Sequence, residues 1–229
     1  MTRSARAFRS ALLALAAAAA LAGCGSLLGA RGDAPTVLAP EIRVRTDPAW
    51  PQVEWQLAIA TPQSSESLAT SRIAVQPQPG TLEVYAGALW LDTAPELVQN
   101  ALIRGFEDSG RILAVSGFGG GVRGDFALLL DLRHFESVYR DGTPEATVEL
   151  RARLVHFRGN RVVAARTFRN AVPAQGVEVA RVSDAFGQAL SATVTEVVGW
   201  TLVEGQQAVA ALEASDGRAT RTPPPPRPL

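Results

Sequence analysis

Two spacings of apolar residues divide the chain between residues 53 and 203. Val53, Trp55, Leu57 and Ile59 alternate with other positions, the period of a half-buried strand. Ile73 and Val75 carry a similar alternation through residues 71–76, Pro77 and Pro79 close it, and residues 81–85 open a further strand. The period then changes. Leu97, Val98, Ala101, Leu102 and Phe106 recur at helical spacing. Thr93 and Glu96 have capping-box spacing, Pro95 fits the first turn, and Gly110 is a natural stop. Residues 112–115 form a short apolar strand, and residues 117–124 a glycine-rich loop. Three long alternating runs follow at 126–139, 146–157 and 161–171, with turns at Asp141-Gly142 and Gly159-Asn160. Val182, Phe186, Ala189, Leu190, Thr193, Val197 and Trp200 give one face of a last helix over 177–203. This order predicts an α/β (α+β) domain: a mixed, mostly antiparallel sheet with two helices packed on one face.

The first 30 residues follow a different pattern. Arg3, Arg6 and Arg9 precede an apolar, uncharged run over 11–21, the layout of a secretory signal. It ends in Leu21-Ala22-Gly23-Cys24, which resembles the lipobox of bacterial lipoproteins. That resemblance implies cleavage before Cys24 and lipid attachment to its sulfur. A transmembrane anchor is the alternative, since residues 10–30 carry no charge and a spanning helix needs about 20 apolar residues. The run is mostly alanine, however, and Gly23, Gly25, Ser26 and Gly29 dilute its second half. The predicted organisation is a signal peptide at 1–23, a lipidated Cys and flexible tether at 24–52, a folded domain at 53–205 and a disordered Pro-rich tail at 206–229. The tether carries seven Gly and Pro residues, and the alternation at 42–44 is too short to extend the domain. The tail ends in Thr222-Pro223-Pro224-Pro225-Pro226.

Composition then narrows the chemistry. The chain has 22 basic residues, all arginine, and 22 acidic ones. Removing residues 1–23 takes away three arginines and no acid, leaving a net charge of −3 (19 basic against 22 acidic). A mildly acidic chain is a poor nucleic-acid ligand. Cys24 is the sole cysteine, so its acylation leaves no thiol for a disulfide, a redox pair or a thiolate metal site.

No catalytic constellation emerges. Gly119, Gly121 and Gly124 match GxGxxG, but a strand follows them where a dinucleotide site needs a helix. His134 and His156 lie on different strands without ligand-spaced carboxylates or cysteines. Asp131 and Glu136 are five apart and are expected on opposite faces of their strand. No metal and no cofactor is expected. Tyr85 and Trp90 are candidates for a partner surface. For Trp90 the alternative is a core aromatic sealing the strand–helix junction.

The run from Tyr85 through Trp90, Pro95 and Leu97-Val98-Gln99-Asn100-Ala101-Leu102 resembles the auxiliary lipoproteins of ABC-type transport systems, the paraquat-inducible protein C-like group. Phe106, Ser109-Gly110, the strand at 112–115 and Leu130-Asp131-Leu132-Arg133-His134-Phe135 continue the likeness. One departure is the late start of the first strand, behind a longer linker. The resemblance implies a non-enzymatic, lipid-anchored component of an intermembrane lipid transport system. Its partners would be an inner-membrane ABC transporter complex and a periplasm-spanning mammalian-cell-entry (MCE) domain protein, with a homo-oligomer as a further association. Gly25 and Ser26 follow Cys24 in place of an inner-membrane-retaining aspartate, which favours the outer membrane, facing the periplasm. Two alternatives stay open: an envelope enzyme using Asp131, His134 or His156, and a lipid-carrying domain with a cavity between sheet and helices.

Overall fold

The structure is a computed structural model that describes residues 34–119 and 124–219. The compact domain begins at Thr36. Its strands are β1 (Thr36–Leu38), β2 (Val53–Ile59), β3 (Arg72–Gln76), β4 (Glu83–Trp90), β5 (Ile112–Gly117), β6 (Phe126–Arg140), β7 (Thr143–His156) and β8 (Arg161–Pro173). The helices are α1 (Ala94–Ser109) and α2 (Val179–Ala219). The predicted mixed sheet with two helices is what forms.

Strand β6 organises the sheet. Along one edge it pairs antiparallel with β7 over its whole length. Its other edge is shared by two shorter parallel strands, β2 beside Phe126–Leu128 and β3 beside Glu136–Val138. Gln63 bridges the gap between them, donating its amide to the Leu130 carbonyl and accepting from Leu132 N–H. β7 continues antiparallel to β8, β3 to β4, and the outer strands β1 and β5 pair parallel with β4 and β2. The long ladders are thus the antiparallel ones, and the parallel pairings join the N-terminal strands to them. Asp141 and Gly142 close the β6–β7 hairpin with φ of 50° and 80°, the left-handed pair that matches strand twist in a two-residue loop.

Helix α1 starts as its sequence dictates. The Glu96 carboxylate accepts from the Thr93 backbone N–H (3.1 Å) and hydroxyl (2.7 Å), which holds its carboxyl below the ordinary range. Gly110 ends the helix at φ 60°. Val98, Leu102 and Phe106 of α1, and Val182, Phe186, Val194, Val198 and Leu202 of α2, are fully buried in one core with Leu57, Ile59, Phe126, Leu128, Phe135 and Leu150 of the sheet. Side chains fill the space between the layers. The two helices meet at Gly105, where an added Cβ would lie 2.6 Å from Val194 Cγ1.

The tail differs from expectation. Helix α2 runs on to Ala219, so residues 206–219 are helical. Gln206, Gln207, Ala208, Ala210, Ala211, Leu212 and Glu213 are strong helix formers, and no proline intervenes before Pro223. Residues 220–229 lie outside the described residues.

Gly105→Val should destabilise the domain by about 1–3 kcal/mol through overpacking. Gly105→Ala should lose less, because alanine regains about 1 kcal/mol of helix propensity. Urea denaturation followed by circular dichroism reads both; a valine variant as stable as wild type would contradict the close helix contact.

Candidate functional site

Cys24 and the Leu21-Ala22-Gly23 motif before it lie outside the described residues. The chain that leads from them does not stay a tether to residue 52. From Thr36 it is laid onto the domain. Leu38 pairs with Trp90, and residues 41–50 then run as a strap beside α2 that closes in a turn, Trp50 N–H donating to the Asp47 carbonyl oxygen. Ile42 and Val44 pack against the core, while Arg43 and Arg45 point outward. The Arg43 amide donates to Ser191 Oγ (2.9 Å) and the Arg45 amide to Thr195 Oγ1 (3.3 Å). Each hydroxyl also donates to the helix carbonyl four residues earlier, Gly187 O and Ser191 O.

Small residues make this approach feasible. Ser183, Gly187, Ser191, Thr195 and Gly199 recur every four residues and form one winding stripe on α2. A Cβ at Gly187 would meet the Glu41 carbonyl oxygen at 2.8 Å, and one at Gly199 the Trp50 Nε1 at 2.5 Å. Gly205 likewise receives the Trp55 ring. Between strap and helix remains an open groove of about 850 Å³, lined by Glu41, Arg43 and Arg45 on one side and Asp184, Gln188 and Glu196 on the other. Sequence analysis missed the strap; the four-residue spacing of small side chains is the signal that marks it.

The two aromatic candidates are not free surface groups. Trp90 is 2% exposed and stands edge-on to Phe135 and Phe186, with ring centroids 5.9 and 5.1 Å away. It seals the strand–helix junction, so the partner-surface reading is corrected. Tyr85 is half-buried, and its hydroxyl donates to the buried Ser137 Oγ (3.2 Å). Burial pushes its phenol up to about 12, against the lowering effect of the Ser137 bond. It therefore stays neutral and packs against the core edge.

The sheet face opposite the helices carries the polar chemistry. A β-bulge falls between Leu132 and His134, with Arg133 as the extra residue opposite Glu149. The bulge shifts the pleat by one position. Asp131 pairs with Arg151 and Glu136 with Thr147, so the two carboxylates share a face, contrary to the five-residue count. They do not converge on one point. Asp131 sits 3.5 Å from Arg153, and Glu136 pairs with His134 while accepting from the Phe135 amide (2.7 Å). Burial raises the Glu149 carboxyl, but the Arg169 bond (2.8 Å), the electrostatic influence of neighbouring His134 and the Arg133 guanidinium (3.6 Å) outweigh it and lower it overall. His156 lies at the far end of the ladder, its ring against Phe126 and its Nδ1 against the Arg158 carbonyl oxygen (2.8 Å). Asp131, His134 and His156 are thus not brought together. Among the described residues, no group of three or more His, Cys, Asp or Glu could hold a metal.

Gly124 has a packing role in place of a nucleotide one. A Cβ there would meet Phe126 O at 2.7 Å and Ala58 N at 2.9 Å, because the chain passes tightly over β2 before entering β6. Residues 120–123 of that loop lie outside the described residues.

The model of the family described as ABC-type transport auxiliary lipoprotein component matches residues 37–198. A crystal structure of protein XCC0632 from Xanthomonas campestris is similar at TM-score 0.74 and 46% identity, over 76% of this chain and 99% of that one. A crystal structure of an uncharacterized protein shares the fold at TM-score 0.58 and 13% identity, over 72% and 97%. An uncharacterized protein of Bradyrhizobium diazoefficiens is 33% identical over 159 residues, 68% of this chain, and the match spans 42% of that relative's length.

A carboxyl lowered in the folded state, as at Glu149, stabilises the fold above its unfolded value near 4.5 and ceases to as pH falls through the folded value. Thermal melts from pH 7 to 3 should therefore show stability falling at the acid end. Glu149→Gln should flatten that slope and cost roughly 1 kcal/mol or less at pH 7, as partly exposed pairs do. An unchanged slope would contradict the ion-pair account.

Proposed function

Because this chain belongs to the ABC-type transport auxiliary lipoprotein family, we propose that it is a non-enzymatic, lipid-anchored component that docks the periplasm-spanning MCE-domain protein of an intermembrane lipid transport system at the outer membrane. The observation that carries this reading is the strap. The family match begins at residue 37, inside β1, so the chain leading from Cys24 is built into the binding domain from its first strand. About 12 residues separate Cys24 from Thr36, and they reach at most about 40 Å. An acylated Cys24 would therefore hold the domain close to one membrane. Several acyl chains on that residue would make the attachment durable, since a single chain binds only marginally.

The interior supports binding over carriage and catalysis. Phe106, Phe126, Phe135, Phe168 and Phe186 occupy the space between sheet and helices that a carried lipid would need. The acid and histidine side chains an envelope enzyme would use sit apart, engaged in ion pairs or ring contacts. Gly25 and Ser26 after Cys24 favour the outer membrane.

Cys24→Ser should leave the fold intact, with an unchanged melting temperature, but move the protein from the membrane fraction to the soluble periplasmic fraction and abolish transport-dependent growth. Pull-down of the wild type should recover the MCE-domain protein and the ABC transporter subunits. Recovery of no transport component, or full activity of Cys24→Ser at its normal level, would refute this function.

A further inference from the structure

Seven phenylalanines fall within the described residues. Five are at most 1% exposed and build the core. The other two, Phe118 at 53% and Phe157 at 47%, are at the surface, and they meet each other with ring centroids 6.2 Å apart. Two large apolar rings left in contact with water form a patch that burial alone would have removed. They are not on loose chain. The Phe118 amide donates to the Ile59 carbonyl oxygen and the Phe157 amide to the Asp125 carbonyl oxygen, both at 3.0 Å, which ties each ring to a strand end. Arg158 and Arg161 flank Phe157, both exposed, and among the described residues neither pairs with a carboxylate. Asp125, whose carbonyl holds Phe157, accepts the Gln56 amide with its carboxylate (2.9 Å). Preorganised aromatics beside arginines are the composition of binding hot spots.

We infer that Phe118 and Phe157, with Arg158 and Arg161, form the surface on which the domain receives a protein partner presenting an apolar pocket rimmed by acidic side chains. This deepens the docking function and rests on it. The position of the patch argues for a protein over the anchoring bilayer. The chain joins the domain at β1, where Leu38 pairs with Trp90, and Trp90 packs on Phe135. The phenylalanine pair lies at the Phe126 end of β6, where Phe126 is registered with His156. Nine strand residues separate Phe126 from Phe135, roughly 30 Å at about 3.3 Å each. A 12-residue chain has a typical span of about 20 Å and a limit of about 40 Å. Resting the rings on the membrane that holds Cys24 would take a leader extended to about three quarters of that limit. A protein arriving across the periplasm would reach them without that extension. The arginines supply the charge complementarity that an acidic rim would use.

Photo-crosslinking of the full-length lipidated protein in cells tests this. A benzophenone amino acid is placed at position 118 or 157, and at Leu82, which is 50% exposed elsewhere on the fold, as a control. The expected result is an adduct with a transport component, identified by mass spectrometry, from 118 and 157 and not from 82. Combining either probe with Arg158→Glu and Arg161→Glu should reduce the adduct at least about ten-fold with no change in the thermal melt. Adducts from 118 and 157 with phospholipid alone, or with a second copy of this chain alone, would overturn the inference, as would adducts from position 82 alone. If wild type co-purifies with transport components while 118 and 157 yield no adduct to them, this surface is wrong and the docking function stands. If wild type recovers none, both fail.

Discussion

The domain depends on one strand having both of its edges in use. β6 is paired with β7 throughout on one side, and with β2 and β3 in succession on the other. Its inward side chains, Phe126, Leu128, Leu130, Leu132 and Phe135, lie in the same core as both helices, with α1 over β5 and β2 and α2 over β7 and β8. Because two short strands share one long edge, the N-terminal and central parts of the chain are locked into the same sheet. A strand buried on both edges has all its backbone groups satisfied internally, and the remaining strands inherit its register. The bulge at Arg133 is the one adjustment along it. That extra residue turns the polar side chains that follow it onto the face opposite the helices, where Arg133 and Arg169 both pair with Glu149 and His134 bonds Glu136.

The second feature with functional weight is the reception of the strap by α2. Long helices ordinarily present bulky side chains that keep another segment's backbone at a distance. Here five small residues at four-residue spacing leave a path, and two of their hydroxyls hold strap amides. The chain that leads from Cys24 joins the domain at β1, passes α2 as far as Trp50 and turns into β2. In the proposed function, an acylated Cys24 would hold the domain through its β1 end. The paired phenylalanines lie at the other end of the same sheet.

Much of this was legible in the sequence, for physical reasons. Period-two alternation located β2 and the three meander strands to within a few residues, because one face of each is buried and the other is not. Thr93, Pro95, Glu96 and Gly110 marked both ends of α1 through the chemistry of its unpaired backbone groups. The bulge escaped because it adds one residue without a residue type of its own. Its trace is Phe135 standing three positions after Leu132 where alternation calls for two or four. The strap escaped because seven Gly and Pro residues are scattered through residues 25–52, and three alternating residues are too few to signal a strand. Its partner was visible only as a stripe on a helix 150 residues away. Trp90 was ambiguous because an aromatic at a strand end can cover a core or a partner, and only the placement of Phe135 and Phe186 decides it.

The central claim is that the segment leading from Cys24 is part of the folded domain from Thr36, so that the proposed lipidation would act on the domain through its first strand. Amide hydrogen exchange at Arg43 and Arg45 tests it most directly, since those N–H groups bond to Ser191 and Thr195 and, among the described residues, to nothing else. The account predicts strong protection of both in the wild type, and its loss in Gly187→Val, where the new side chain would collide with the Glu41 backbone, while β6 and β7 amides stay protected. Exchange of the Arg43 and Arg45 amides in the wild type at the rate of unstructured chain would contradict it.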